Sequence, residues 1–481
     1  MNTVFGGRIL ILGCGSVSRC VQPLILRHFE MDFSKLMIMD LADLRQTIPD
    51  TLAAGARYLQ AQITPDNLST LLGQHLGPGD LLIDLAWNID AGEIIQWCHD
   101  HHVLYLNTSV EVWDPYEDAG SIPPVQRTLY VRHRALRRRA ASWSEPGATA
   151  VVEHGANPGL VSHWTKVALE DLTRALLPGL PGGDRRSGLE QALANGDYAR
   201  LAMLTGTKVI HISERDTQIS NRPKEVGEFV NTWSIPGLHE EGVAPAEMGW
   251  GTHEKRLPPF AHAHTYGPSN QICLAQMGLN TLVRSWVPMG EIIGMIIRHG
   301  EALTISEHLT VWDGEVPRYR PTVNYAYQPC DAAIASLWEL KMNGYQLQSR
   351  QRIMNDEIID GRDELGVLLL GHDLTGWWTG SQLDIHEARR LVPHQNATTL
   401  QVAASILGAV TWMIEQPRRG LCVPDDLPHH EVLAVANAYL GPCPSVPTDW
   451  TPLKNRFDPF EQFARPRPAA EDVWQFETFV V

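Results

Sequence analysis

The chain has no apolar run of membrane length. The longest candidate, 400–414, is broken by Gln401, Ser405, Gly408 and Thr411 and is expected to be a buried helix. No signal-peptide pattern opens the sequence: the first apolar run goes directly into a glycine turn. The seven cysteines show no paired spacing, which argues against a disulfide framework or a zinc site and for a reducing, cytoplasmic setting. Basic residues are also short: 39 Lys and Arg against 55 Asp and Glu leave a net charge of −16, which disfavours nucleic acid and other polyanions and suits a cationic ligand. A Gly-x-Ser-x-Gly elbow, a P-loop and helical metal-type histidine spacing are all missing. His262 with His264, and the group His99, His101 and His102, therefore read as solvated loop or helix-end residues.

What is present begins with Gly7-Arg8-Ile9-Leu10-Ile11-Leu12-Gly13-Cys14-Gly15-Ser16-Val17-Ser18, an apolar run feeding a Gly-x-Gly turn. A second apolar run, 36–39, ends on Asp40. This is the pattern of a dinucleotide-binding βαβ unit. Gly13 permits the tight turn, Gly15 lets backbone approach a pyrophosphate, Ser16 and Val17 open the helix that faces it, and Asp40 accepts from a ribose hydroxyl. An acid at that place favours NAD over NADP, because a 2′-phosphate would meet like charge. Ser18 stands where a third glycine is usual, and Pro23 falls inside the helix, where it should bend it.

At 481 residues the chain needs two domains or three. Strand-like and helix-like segments alternate up to about residue 155, the signature of a parallel sheet, with strands over 81–85, 103–106 and 149–152 and a helix over 94–101. The fold class is thus α/β: a Rossmann-type dinucleotide-binding domain over 1–155 with a second α+β catalytic and dimerisation domain over 156–380. A helix over 396–415 is expected to pack back on the first domain, and 420–481 reads as a C-terminal arm. Ligands in such sheets sit beyond the strand ends. That position holds Asn88 and Asp90, then Thr108, Glu111 and Trp113, then His154 with Gly155, Ala156, Asn157, Pro158 and Gly159.

Three features of the middle region point to a cation site: Glu214, Trp233 and the pair Glu240-Glu241. Each has a plain alternative, respectively an ion pair with Arg215, a core aromatic on a strand, and a solvated loop. Fifteen tryptophans stand against ten phenylalanines; most are expected to be core or interface packing, and only one or two need face a ligand.

The stretches Gly155-Ala156-Asn157-Pro158-Gly159, Ser213-Glu214-Arg215-Asp216-Thr217-Gln218, Phe229-Val230-Asn231-Thr232-Trp233-Ser234, Glu247-Met248-Gly249-Trp250-Gly251-Thr252, 363–369, Gln395-Asn396-Ala397-Thr398 and 448–453 together resemble the bacterial homospermidine synthases, end to end. That family is related to the saccharopine dehydrogenase-like oxidoreductases. The resemblance implies a homodimer that joins two putrescines into homospermidine and releases ammonia, through imine and Schiff-base intermediates, with a resident NAD as transient hydride store. Diamines and polyamines, spermidine included, are the implied ligands; nucleic acid, membrane and metal are not.

Carried over residue by residue, the resemblance makes Trp233 the holder of a cationic intermediate and Glu214 the group beside the reacting carbon. Asn157 would position the amine near the nicotinamide, with Thr108, Gly155, Ala156 and Pro158 around it. Glu111 and Glu241 would take distal ammonium groups, His299 would assist, and Asp363 would serve the same task. An acid is expected where Asn88 stands, with Asp90 as its replacement. Two rival readings are a saccharopine-type or carboxypolyamine dehydrogenase consuming external NAD(P)H, and a non-catalytic NAD-binding sensor.

Overall fold

A computed structural model describes residues 3–115, 120–460, 463 and 468–481. Its first sheet has seven parallel strands, in the order Leu421–Cys422, Ala150–Val151, Leu104–Asn107, Leu81–Asp84, Ile9–Leu12, Leu36–Asp40 and Arg57–Gln60. The order reverses between Ile9–Leu12 and Leu81–Asp84, and the crevice at such a switch point is where open α/β sheets bind ligands. Ile9–Leu12 is buried along its whole length, as a strand covered on both faces must be. The helix Ser16–His28 follows the glycine turn and runs through Pro23. Asp40 closes the second strand, and its carboxylate accepts from the backbone N–H groups of Cys14 and Ala42, at 2.7 and 2.8 Å.

The second sheet is mixed and has ten strands. Its centre is Val209–Asp216, parallel to Thr322–Gln328 on one side and antiparallel to Arg362–His372 on the other. Register decides what this sheet presents. Glu214 lies between Tyr327 and Leu365, and Asp216 lies beside Asp363. Because side chains alternate along a strand, Glu214 and Asp216 share one face, as do Tyr325 and Tyr327 on the neighbouring strand.

Three expectations change here. Trp233 is not on a strand: the strand ends at Asn231, and Ser234 caps the helix Ile235–Val243 by accepting from Gly237 N–H. Glu240 and Glu241 therefore lie on a helix, not in a solvated loop. Nor is His264 solvated. It is buried, stacked on Tyr130 at 4.0 Å and in hydrogen-bond contact with Thr128 Oγ1.

Ala397–Glu415 is the one helix among the described residues long and apolar enough to cross a membrane, and it is a core helix. Asn396 caps it, accepting from Thr399 N–H at 2.8 Å. It packs against Ser16–His28 and against the helix His429–Ala436. Gly408 makes the second contact possible, since a Cβ there would sit 2.7 Å from the Val432 carbonyl oxygen. Beyond it, Leu421–Cys422 joins the first sheet and Ser445–Thr448 the second, so 421–448 is woven into both.

Gly13 has φ +88°, and a Cβ there would lie 2.8 Å from the Leu85 carbonyl oxygen. Gly13→Ala should destabilise the protein by about 1–3 kcal/mol through a strained left-handed alanine in contact with backbone. Chemical denaturation checks this; a change below ~0.5 kcal/mol would mean that the turn relaxes freely.

Candidate functional site

A cleft opens between the two sheets. The strand ends of the first contribute Leu85, Ala86, Trp87, Thr108, Glu111, Glu153 and the turn Gly155–Pro158. Facing them are Glu214, Trp233, Glu240, Glu241, Arg298, His299 and Tyr325, with Val17 and Arg132 also in the lining.

Glu214 is at its centre. Its Oε2 accepts from Tyr325 Oη at 2.5 Å and from Asn157 Nδ2 at 3.1 Å, so one oxygen ties the first sheet's turn to the second sheet's face. Burial, reinforced by Asp216, pushes its carboxyl up to about 7. Trp233 is half-buried, its Nε1–H donating to Tyr327 Oη at 3.0 Å and its ring lying on Gly237. Glu111 accepts from Ser109 Oγ at 2.7 Å on one oxygen, while the other is buried with no hydrogen-bond partner among the described residues. Burial and nearby Glu240 push it, too, up to about 7. An unpartnered carboxylate oxygen in a cleft is what an ammonium group would satisfy.

Glu240 is different. Although burial opposes its charge, Arg298 and Arg132 both bind it and hold its carboxyl well below the usual range. Glu241, one residue on, lies 3.0 Å from His299 Nε2. On the opposite wall Glu153 takes φ +57°. Asn107 Oδ1 accepts its N–H at 2.7 Å, and its carboxylate meets His133 Nε2 at 2.7 Å.

Asn157, Glu214, Trp233, His299, Glu111 and Glu241 thus meet in one cleft, with Val17, Thr108, Gly155, Ala156 and Pro158 along its first-sheet side. Asn88, Asp90 and Asp363 do not line it. Asp90 is spent capping the helix Ala91–Asp100, accepting from Glu93 N–H at 2.8 Å. Asn88 sits in a turn at φ +64°. Asp363 lies wholly buried behind Glu214 and accepts from Thr398 Oγ1 at 2.5 Å. His154 points into the core, toward His163 and Ser405. The sequence reading missed Tyr325, Arg132, Arg298 and Glu153. Only Tyr325 carried a signal, the alternation of Thr322–Gln328.

The glycine turn is built for a phosphate-bearing ligand. A Cβ on Gly15 would meet nothing within 4 Å, and the helix it opens has no side-chain cap, so no capping side chain takes its first N–H groups.

Residues 9–151 match the saccharopine dehydrogenase NADP binding domain, and 155–441 match the saccharopine dehydrogenase C-terminal domain. The homospermidine synthase of Blastochloris viridis is 41% identical over 99% of this chain and 97% of its own length. The chain belongs to the homospermidine synthase family. The enzyme of Mesorhizobium japonicum is 38% identical over 99% of this chain and 96% of its own. Among solved structures, the homospermidine synthase of Legionella pneumophila in complex with NAD superposes with a TM-score of 0.88 at 38% identity, covering 100% of this chain and 99% of that one. The L-Glu-forming saccharopine dehydrogenase of Saccharomyces cerevisiae shares the fold, with a TM-score of 0.50 at 12% identity over 92% of this chain.

The raised carboxyls set a pH dependence. Glu214 and Glu111 bind a proton more tightly folded than unfolded, so their contribution to stability is full below about pH 4.5 and is lost as pH rises through about 7. Ligand-free protein should melt lower at about pH 8 than at about pH 5.5, and Glu214→Gln should flatten that slope. Equal slopes in wild type and variant would show that Glu214 is charged throughout.

Proposed function

We propose that the protein makes homospermidine from two putrescines, releasing one ammonia, by NAD-dependent aminobutyl transfer in the cytoplasm as a homodimer. The observation that carries this reading is the cleft's charge: Glu111, Glu214 and Glu241 line it with Trp233, and the two arginines there are both bound to Glu240. Full-length likeness to homospermidine synthases supports it.

Gly13, Gly15, Ser16, Val17 and Asp40 would hold NAD, with Thr108 and Gly155–Pro158 at its reactive end. When bound, NAD supplies the chemistry of taking a hydride from an amine-bearing carbon and returning it to an imine. The chain does the rest. Glu111 and Glu241 each take an ammonium at the far end of a diamine, where desolvation calls for an opposite charge. The reacting amine must be neutral, and Glu214, poised near 7, takes its proton. Asn157 and Tyr325 hold the accepting oxygen in place. The Trp233 indole face stabilises the cationic iminium as ammonia leaves and the second amine adds. In this account residues 1–155, completed by the helix Ala397–Glu415, form the cofactor-holding unit, and 156–380 form the substrate-holding one.

A dehydrogenase acting on a carboxylate-bearing substrate would need a free cation in the cleft. Arg132, Arg298 and His299 are the candidates; Glu240 occupies both arginines, and Glu241 and Glu301 flank the histidine.

Incubation with putrescine and catalytic NAD should yield homospermidine and ammonia in equal amounts, with deuterium from C1-labelled putrescine retained in the product. Stoichiometric NADH without product would exclude the reading. Trp233→Ala should cut turnover roughly thirtyfold, the loss of ~2 kcal/mol of desolvated cation–π contact. NAD affinity should stay within about twofold; an equal loss of both would make Trp233 structural.

A further inference from the structure

His299 has a carboxylate at each ring nitrogen. Nε2 lies 3.0 Å from Glu241 Oε2, and Nδ1 lies 3.2 Å from Glu301 Oε1. A neutral imidazole has one N–H and one lone pair, so it would turn that lone pair on one of the two acids. The imidazolium, with two N–H groups, satisfies both. The three groups come from separate elements: Glu241 from the helix Ile235–Val243, Glu301 from the first turn of Glu301–His308, and His299 from the segment before it. Tyr325 stacks on the ring at 4.5 Å, and the charges of Glu153 and Glu214 also reach it. The next residue back, Arg298, is held by Glu240.

Glu301 is fully buried, and its second oxygen has no hydrogen-bond partner among the described residues. Among the described residues His299 is its one ion-pair partner. A neutral His299 would therefore leave Glu301 a buried carboxylate without a countercharge or make it take the proton itself, as burial already favours by raising its carboxyl. Burial by itself would lower the proton affinity of His299; Glu301 and Glu241 outweigh it and raise that affinity.

We propose that Glu301 is a positioning residue that fixes His299 as a permanent imidazolium, so that His299 orients Glu241 toward the diamine and carries no proton in the reaction. The proton-transfer task then falls to Glu214 alone. The fixed positive ring also disfavours a second ammonium beside Glu214, which favours the neutral amine the chemistry needs. The role in diamine binding rests on the homospermidine reading; the charge state of the ring does not.

The test is NMR of the full-length, ligand-free protein with isotope-labelled histidine, the His299 signals being assigned by their loss in His299→Asn. Both ring nitrogens should read as protonated and stay so between about pH 6 and pH 9. Glu301→Gln keeps the acceptor and removes the charge. It should bring the His299 titration into that window and raise KM for putrescine roughly tenfold, with kcat changed by less than about threefold. A neutral ring in the wild type near pH 7, or a Glu301→Gln titration identical to wild type, would overturn the proposal. The wild-type spectrum decides the point even if the variant fails to fold. An imidazolium signal in a protein that forms no homospermidine would sustain the charge assignment and sink the functional reading, so the two failures separate.

Discussion

The structure turns on a shortage of positive charge. Glu111, Glu153, Glu214, Glu240 and Glu241 line one cleft with Arg132, Arg298 and His299. A buried carboxylate needs a partner or a proton. Glu240 takes both arginines, Glu153 takes His133, and Glu241 shares His299 with Glu301. Glu111 and Glu214 are left with neutral donors alone, and those are the two acids that burial drives toward protonation. The raised carboxyls of the ligand-free cleft have one origin, a missing countercharge that burial makes costly.

The arrangement also explains why arginines in this cleft do not make it an anion site. The Arg132–Glu240–Arg298 cluster joins the helix Leu129–Ala141 to the helix Ile235–Val243 and to the segment before His299. Two guanidinium groups spent on one carboxylate act as a bracket between elements from both halves of the molecule.

Much of the first sheet was legible because apolar runs, a glycine turn and a terminal acid lie close together in the chain. The turn at Gly155–Gly159 and the acids Glu111, Glu214 and Glu241 were legible as residue types in suitable places. Their convergence was not, because it depends on the register that sets Glu214 beside Tyr327 and on packing between strands far apart in sequence. Asp90 misled for a local reason: an acid just before a helix serves equally as a cap, and the structure uses it so. Asp363 misled for a tertiary one, lying on the correct strand but one layer behind the cleft. Arg132 stands in a helix with four other arginines, and nothing in the sequence marks it as the one turned inward.

Glu153 shows how firmly the cleft wall is built. A non-glycine residue at φ +57° is held there by a dedicated acceptor, Asn107, and a dedicated ring, His133. Its carboxylate fills the place a Cβ on residue 300 would occupy, which is why Gly300 follows His299. The backbone carrying His299 is thus set against a charged group that is itself immobilised by two partners. Strain of about 1–3 kcal/mol at such a residue persists only where surrounding contacts over-determine it. Its place between the Gly155–Pro158 turn and the backbone of Gly300 ties the two sides of the cleft wall together.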